Sequence, residues 1–205
     1  MRTALALCIL LVLSSASPAR AEWHFTPMVG LTMLGSTTIF DPQLATEARH
    51  WNVGGAVGLI GRGLFGAEVV TVWTPGFFER DDLTGEPGST PPPGVVSSRT
   101  ISLMANAVIT APQRWTEYSL RPFVSGGFGL LHVNKVDPEG LFPVRLNLAG
   151  FNVGGGAIGF LSERTGLRFD VRYHSTLRPT DHGPIATGDV RLRYLTASIG
   201  IVFRR

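Results

Sequence analysis

The sequence predicts an all-β chain, an eight-stranded antiparallel up-and-down transmembrane β-barrel, on three observations: strict alternation, joins of unequal length, and an export leader without a later apolar helix. The clearest alternation is LRFDVRYH, with Leu167, Phe169, Val171 and Tyr173 on one side and Arg168, Asp170, Arg172 and His174 on the other. Successive side chains of a strand point to opposite faces, so one face is wholly apolar and its reverse wholly ionisable. A soluble sandwich would bury the apolar face and wet the charged one. A membrane barrel turns the apolar face to lipid and fills its lumen with the charged one.

The opening segment MRTALALCILLVLSSASPARA has a charged start at Arg2, an apolar run from Ala4 to Leu13, and Ala19-Arg20-Ala21. That is the layout of a secretory leader with an A-x-A cleavage site. Residues 1–21 are therefore read as a cleaved leader and residues 22–205 as one barrel domain. The apolar run is shorter than the roughly 20 residues a spanning helix needs. Cys8, the sole cysteine, leaves with the leader, so the mature chain has no disulfide and no thiolate ligand. Removing Arg2 and Arg20 leaves 18 − 2 = 16 basic residues against 15 acidic ones, a net of +1 with His neutral. Nothing in that balance asks for nucleic acid.

The mature chain has no apolar run of helix-spanning length and no extended amphipathic helical pattern. A membrane-spanning form must then be a closed barrel, because only helices and closed barrels satisfy every backbone polar group in lipid.

Eight segments alternate with period two. In WHFTPMVGLTM, Trp23, Phe25, Pro27, Val29, Leu31 and Met33 share a face. WNVGGAVGLIG sets Val53, Val57 and Leu59 against Asn52, Gly54, Ala56 and Gly58. In LFGAEVVTVW, Phe65, Ala67, Val69 and Trp73 oppose the face of Glu68. TISLMANAVIT puts Ile101, Leu103, Ala105, Ala107 and Ile109 against Ser102, Asn106 and Thr110. RPFVSGGFGLLHV has apolar residues on both faces, with Val124, Phe128 and Leu130 read as outward. AGFNVGGGAIGFL places Asn152, Gly154 and Gly156 opposite Val153 and Ala157. LRFDVRYH is the seventh, and RYLTASIGIVF, with Leu195, Ala197, Ile199, Ile201 and Phe203 on one face, is the eighth.

The joins read as alternately long and short. Gly35 to His50, Pro75 to Arg99, Lys135 to Asn147 and Pro179 to Val190 are long and polar. GRG (Gly61 to Gly63), PQRWTEYS (Pro112 to Ser119) and SERTG (Ser162 to Gly166) are short. A meander sends alternate joins to opposite ends, as in outer-membrane barrels with long extracellular loops and short periplasmic turns. An even strand number places both termini in the periplasm. GEPGSTPPPG, Gly85 to Gly94, has the composition of a surface loop.

RPFVSGGFGL (Arg121 to Leu130) followed by FNVGGGAIGFLSERTGLRFDVRYH (Phe151 to His174) resembles the C-terminal half of the small outer-membrane β-barrel family, the group around the OmpA and OmpX barrels and the opacity proteins. The ending SIGIVFRR is similar to that family's aromatic last strand, which the barrel-assembly machinery reads, although Arg204 and Arg205 follow Phe203 here. The resemblance implies an eight-stranded barrel in the bacterial outer membrane. It implies no single activity, since members serve as anchors, adhesins, serum-resistance factors and lipid A-modifying enzymes.

In so narrow a barrel the side chains themselves fill the interior. Glu68, Arg168, Asp170, Arg172 and His174, with Arg121, are expected to project inward as a lumen charge network. Buried charges persist only when paired and hydrogen-bonded, so the network reads first as a plug and second as a gate. Val29, Leu31, Val57, Leu59, Val69, Ile101, Leu103, Phe169, Val171, Ile199, Ile201 and Phe203 are expected to face lipid. Trp23, Trp51, Trp73, Tyr118 and Tyr194 fall near strand ends, where interfacial aromatic girdles sit.

His174 and Ser175 raise an enzyme reading through the resemblance, because lipid A deacylases of this barrel type use a His and a Ser on a late strand. There the pair stands two residues apart on one face with an Asn after the Ser, whereas here the two are adjacent and Thr176 follows. His132, His174 and His182 are scattered, and Glu79, Asp81 and Asp82 read as a loop cluster, so no metal or other cofactor is expected. The GGG at Gly154 to Gly156 is not a phosphate loop, since no helix follows it. The sequence therefore predicts an outer-membrane barrel with a structural or surface-interaction role. Its expected partners are outer-membrane lipids, the assembly machinery and an extracellular ligand at the loops. A lipid A-modifying enzyme, a small gated pore and a soluble periplasmic lipid-binding barrel are the alternatives.

Overall fold

A computed structural model of the chain describes residues 22–37, 49–61, 63–77, 97–111, 120–136, 144–177 and 192–205. The leader, the acidic residues Glu79, Asp81 and Asp82, the segment 85–94, Tyr118 and His182 lie outside the described residues.

The eight strands are β1 (Glu22–Thr37), β2 (His50–Ile60), β3 (Phe65–Pro75), β4 (Ser97–Thr110), β5 (Leu120–Val136), β6 (Val144–Phe160), β7 (Thr165–Thr176) and β8 (Leu192–Arg204). Each pairs antiparallel with its sequence neighbours, and β1 pairs with β8 to close the barrel. The closure has one register shift, between Met33 and Ser36. At the opposite, turn end of the same seam, Trp23 and Arg205 exchange two backbone hydrogen bonds of 3.0 Å, and Arg204 Nε meets Glu22 Oε2 at 3.1 Å.

Register fixes the barrel's geometry. One row of partners runs Thr32, Thr196, Arg172, Gly154, Ser125, Val108, Gly66, Ile60 and returns to β1 at Glu22. A full circuit therefore climbs from residue 22 to residue 32, a stagger of ten residues. With ordinary strand spacings this requires a tilt of about 41° and a backbone radius of about 8 Å.

The strands run further than the alternation alone indicates at the end of the long joins. The β4–β5 ladder continues to Ser97–Val136 and the β5–β6 ladder to Lys135–Val144, so the fifth join is 137–143 rather than Lys135 to Asn147. The fourth join, 111–119, is thus longer than the fifth, and the long-short alternation breaks at this pair. Val133, Val136 and Val144 extend the ladder because β-branched residues suit a pleated surface whichever polar residues intervene. Gly76, at φ 65°, takes the left-handed conformation just beyond β3 and donates its N–H to Ser98 O at 2.8 Å.

The interior is layered. At the turn end, Ile60, Val108, Phe123, Ile158 and Val202 form one buried apolar cluster. At the end of the long joins, Phe77, Met104, Leu131, Val133, Leu148, Leu192 and Tyr194 form another. Between them lie the charged side chains, with Met28, Ala56, Val70 and Val72 packed along one wall.

Candidate functional site

The central layer is built by β7 and β3. β7 alternates so that Arg168, Asp170, Arg172 and His174 share the inner face, each 4% exposed or less. The stagger brings Glu68 of β3, 104 residues earlier, opposite Arg172. Arg168 donates from Nε and Nη2 to Asp170 Oδ2 at 3.1 and 2.7 Å. Arg172 donates from Nε to Asp170 Oδ1 at 2.6 Å and from Nη2 to Asp170 Oδ2 at 2.8 Å. Arg172 Nη2 also reaches Glu68 Oε1 at 2.6 Å. Arg168 Nη1 approaches Glu68 Oε2 at 2.8 Å, an ion contact without aligned hydrogen-bond geometry. Two guanidiniums and two carboxylates thus make a neutral quartet, the arrangement that lets four charges share a low-dielectric interior. Below it the Arg168 guanidinium carbon lies 4.4 Å from the Phe123 ring centre, a cation–π contact that joins the quartet to the turn-end cluster.

Around the quartet the polar interior is incompletely paired. Both carboxamide atoms of Asn106 and Asn152, Ser125 Oγ, Arg172 Nη1 and His174 Nδ1 are buried without a protein partner. Nearer the long joins, Asn52 Nδ2 donates to Thr32 Oγ1 at 3.0 Å, and Thr32 and Thr74 share a 3.0 Å hydroxyl contact.

His174 stands above the quartet, stacked on Tyr194 with ring centres 4.7 Å apart and planes 8° apart. Its Nε2 lies 3.4 Å from Thr196 Oγ1. Ser175 Oγ is bonded to the carbonyl of Thr176 at 3.4 Å, so no nucleophile–base contact joins it to His174. Tyr194 corrects the aromatic-girdle expectation. It is 2% exposed and seals the interior with Phe77, because its position in β8 has the same parity as the inward Thr196. Trp23, Trp51 and Trp73 do point outward, the last two in edge contact at 5.9 Å.

Arg121 also points inward but stands apart from the quartet. Its Nη2 donates to the carbonyls of Gly61 and Gly63 at 2.8 and 2.7 Å, and its Nε to that of Ala111 at 2.8 Å. It closes the turn end by satisfying backbone that the ladder leaves unpaired. Sequence reasoning gave it no such role, since turn carbonyls leave no mark in residue identity.

Of the twelve residues expected to face lipid, eleven are exposed, from 37% at Leu59 to 52% at Val29, and Ile101 is half-buried. No group of three His, Cys, Asp or Glu side chains converges among the described residues.

No protein-family model matches the chain, and no curated protein matches its sequence. Solved structures do match its fold. The outer membrane protein OprG from Pseudomonas aeruginosa aligns with a TM-score of 0.58 at 12% identity, over 90% of this chain and 96% of that one. Neisserial surface protein A aligns with a TM-score of 0.55 at 14% identity, over 88% and 96% of the two chains. The outer membrane protein AlkL, solved in lipid bilayers, aligns with a TM-score of 0.52 at 13% identity over 93% of each. At these identities the likeness establishes architecture, and the chain has the fold of the small eight-stranded outer-membrane β-barrels.

Proposed function

We propose that the protein is an integral barrel of a bacterial outer membrane, a closed anchor that presents its long joins for surface interaction. The observation that carries this reading is the pairing of an exposed apolar outer face with an interior in which buried apolar clusters lie on both sides of the ion-paired quartet. Large apolar side chains this exposed, such as Phe65 at 75% and Phe128 at 66%, are unfavourable in water and need none of the outer surface's polar compensation in lipid. With the strand rise and tilt above, Trp23 lies about 22 Å along the barrel axis from Trp51 and Trp73. That span is close to the ~25 Å apolar band of such barrels.

The export leader, and termini that share the turn end, support a periplasmic position for both ends. The assembly machinery would then read the last strand, and a ligand would meet the joins at the opposite end.

A gated pore is the second reading, favoured by the unpartnered polar atoms of Asn106, Asn152, Ser125 and Arg172 beside the quartet. Such groups invite water, yet apolar clusters cover the layer on both sides. The test is single-channel conductance of the folded chain in a planar bilayer, with a heat-shift gel on the same sample. The anchor reading expects silence from the unaltered chain and from a folded Arg172→Ala variant. Discrete openings in either would put the gate in its place.

A further inference from the structure

The quartet and Arg121 carry the charges buried inside the barrel among the described residues, and a second set of charges lies outside it. Among the described residues, the exposed arginines at the end of the long joins are Arg49, Arg99, Arg145 and Arg193. The four described acidic residues are all elsewhere: Glu68 and Asp170 in the interior, Glu22 and Glu163 at the turn end. Two of these arginines are brought together by register. Arg99 of β4 and Arg145 of β6 both pair with Asn134 of β5. Directly opposite residues in antiparallel strands share a face, so the three stand in one outward row, with the arginine Cα atoms about 10 Å apart.

Asn134 is only 8% exposed, and its carboxamide oxygen has no partner. Neither arginine makes an ion pair or hydrogen bond among the described residues. The row thus offers two guanidiniums without a partner among the described residues, flanking one buried, unpaired acceptor.

The rows beneath it change character in order. The next holds Ile101, His132 and Asn147, where His132 Nδ1 and Asn147 Oδ1 are 2.6 Å apart. The one below holds Leu103, Leu130 and Ala149, then Ala105, Phe128 and Phe151, all apolar. Each two-residue step climbs about 5 Å along the barrel axis at this tilt. The arginine row is therefore about 10 Å above the Leu103 row, while a bilayer's headgroup zone adds roughly 5–8 Å on each side of the hydrocarbon.

We propose that the outward face of β4, β5 and β6, centred on Arg99, Asn134 and Arg145, binds the phosphate of an anionic lipid with a hydroxylated headgroup. The guanidiniums hold the phosphate, since their planar forks suit its oxygens. A headgroup hydroxyl donates to Asn134, and the acyl chains lie along Leu103, Leu130 and Phe128. The inference rests on the barrel spanning a membrane.

The test is native mass spectrometry of the folded, full mature barrel released from micelles containing phosphatidylglycerol or phosphatidylcholine. Flotation with vesicles and a heat-shift gel establish separately that each variant folds and inserts. Failure there would overturn the membrane reading itself, whereas insertion without lipid selectivity would overturn only this site. The expected result is preferential retention of phosphatidylglycerol, reduced about fivefold by Arg99→Gln or Arg145→Gln and about 25-fold by both. Asn134→Ala should lower retention of phosphatidylglycerol without changing that of phosphatidylcholine. Arg164→Gln at the turn end should leave both unchanged. Equal retention of the two lipids, no loss in the double variant, or displacement by millimolar inorganic phosphate would each overturn the proposal.

Discussion

Replacing Arg172 with methionine tests the electrostatic account of the interior, because it keeps most of the side-chain volume and removes one charge. Arg172 makes three hydrogen bonds within the quartet, two to Asp170 and one to Glu68, with lengths of 2.6 to 2.8 Å. Its loss leaves Arg168 as the one guanidinium facing two carboxylates that are 4% and 0% exposed. Breaking a buried ionic set this way costs about 3–5 kcal/mol, since an uncompensated charge stays in low dielectric. That is a large part of the roughly 5–15 kcal/mol typical of folded domains. Adding Glu68→Gln restores neutrality and leaves the Arg168–Asp170 pair intact with both of its hydrogen bonds. The double variant should therefore be more stable than the sum of the single losses by about 1–3 kcal/mol. Urea unfolding in lipid vesicles, followed by tryptophan fluorescence with a heat-shift gel, measures all three variants. A loss below about 1 kcal/mol for Arg172→Met, or simple additivity in the double variant, would show that the quartet does not hold its charges by mutual pairing.

Two further predictions concern closure of the barrel. An added Cβ at Gly127 would meet the Ala105 carbonyl oxygen, and at Gly156 the Phe169 carbonyl oxygen, whereas at Gly63 it meets nothing within 4 Å. Gly127→Ala and Gly156→Ala should each lose about 1–3 kcal/mol in the same unfolding assay, with Gly63→Ala near the unaltered chain. Arg121→Met strips the carbonyls of Gly61, Gly63 and Ala111 of a donor and should cost about 2–4 kcal/mol. Arg121→Lys should recover part of that loss, and equal stability of the methionine and lysine variants would count against the turn-closing role.

What the sequence made legible follows from period two. Alternation in LRFDVRYH separates Phe169 and Val171 from Arg168, Asp170 and Arg172 without reference to any other strand, and the structure holds these residues on opposite faces. The same rule placed Tyr194 opposite Leu195, but nearness to a strand end suggested a girdle role, and parity proved the better guide. Strand ends were harder to read, because the β5–β6 ladder extends through Asn134 and Lys135, residues that composition assigns to a loop. Glu68 could be placed on an inner face, but its partners could not be named.

The class of fold, the number of strands and the facing of the cleanly alternating segments thus follow from residue order alone, because they depend on local backbone geometry, whereas β5, apolar on both sides, and Tyr194 needed the closed barrel to settle their faces. The tertiary structure alone decided which distant residues meet. A stagger of ten residues carries Glu68 to Arg172 and sets Arg99 and Arg145 on either side of Asn134. The reason is physical: register accumulates strand by strand around a closed sheet, and only closure of the last strand on the first fixes its total.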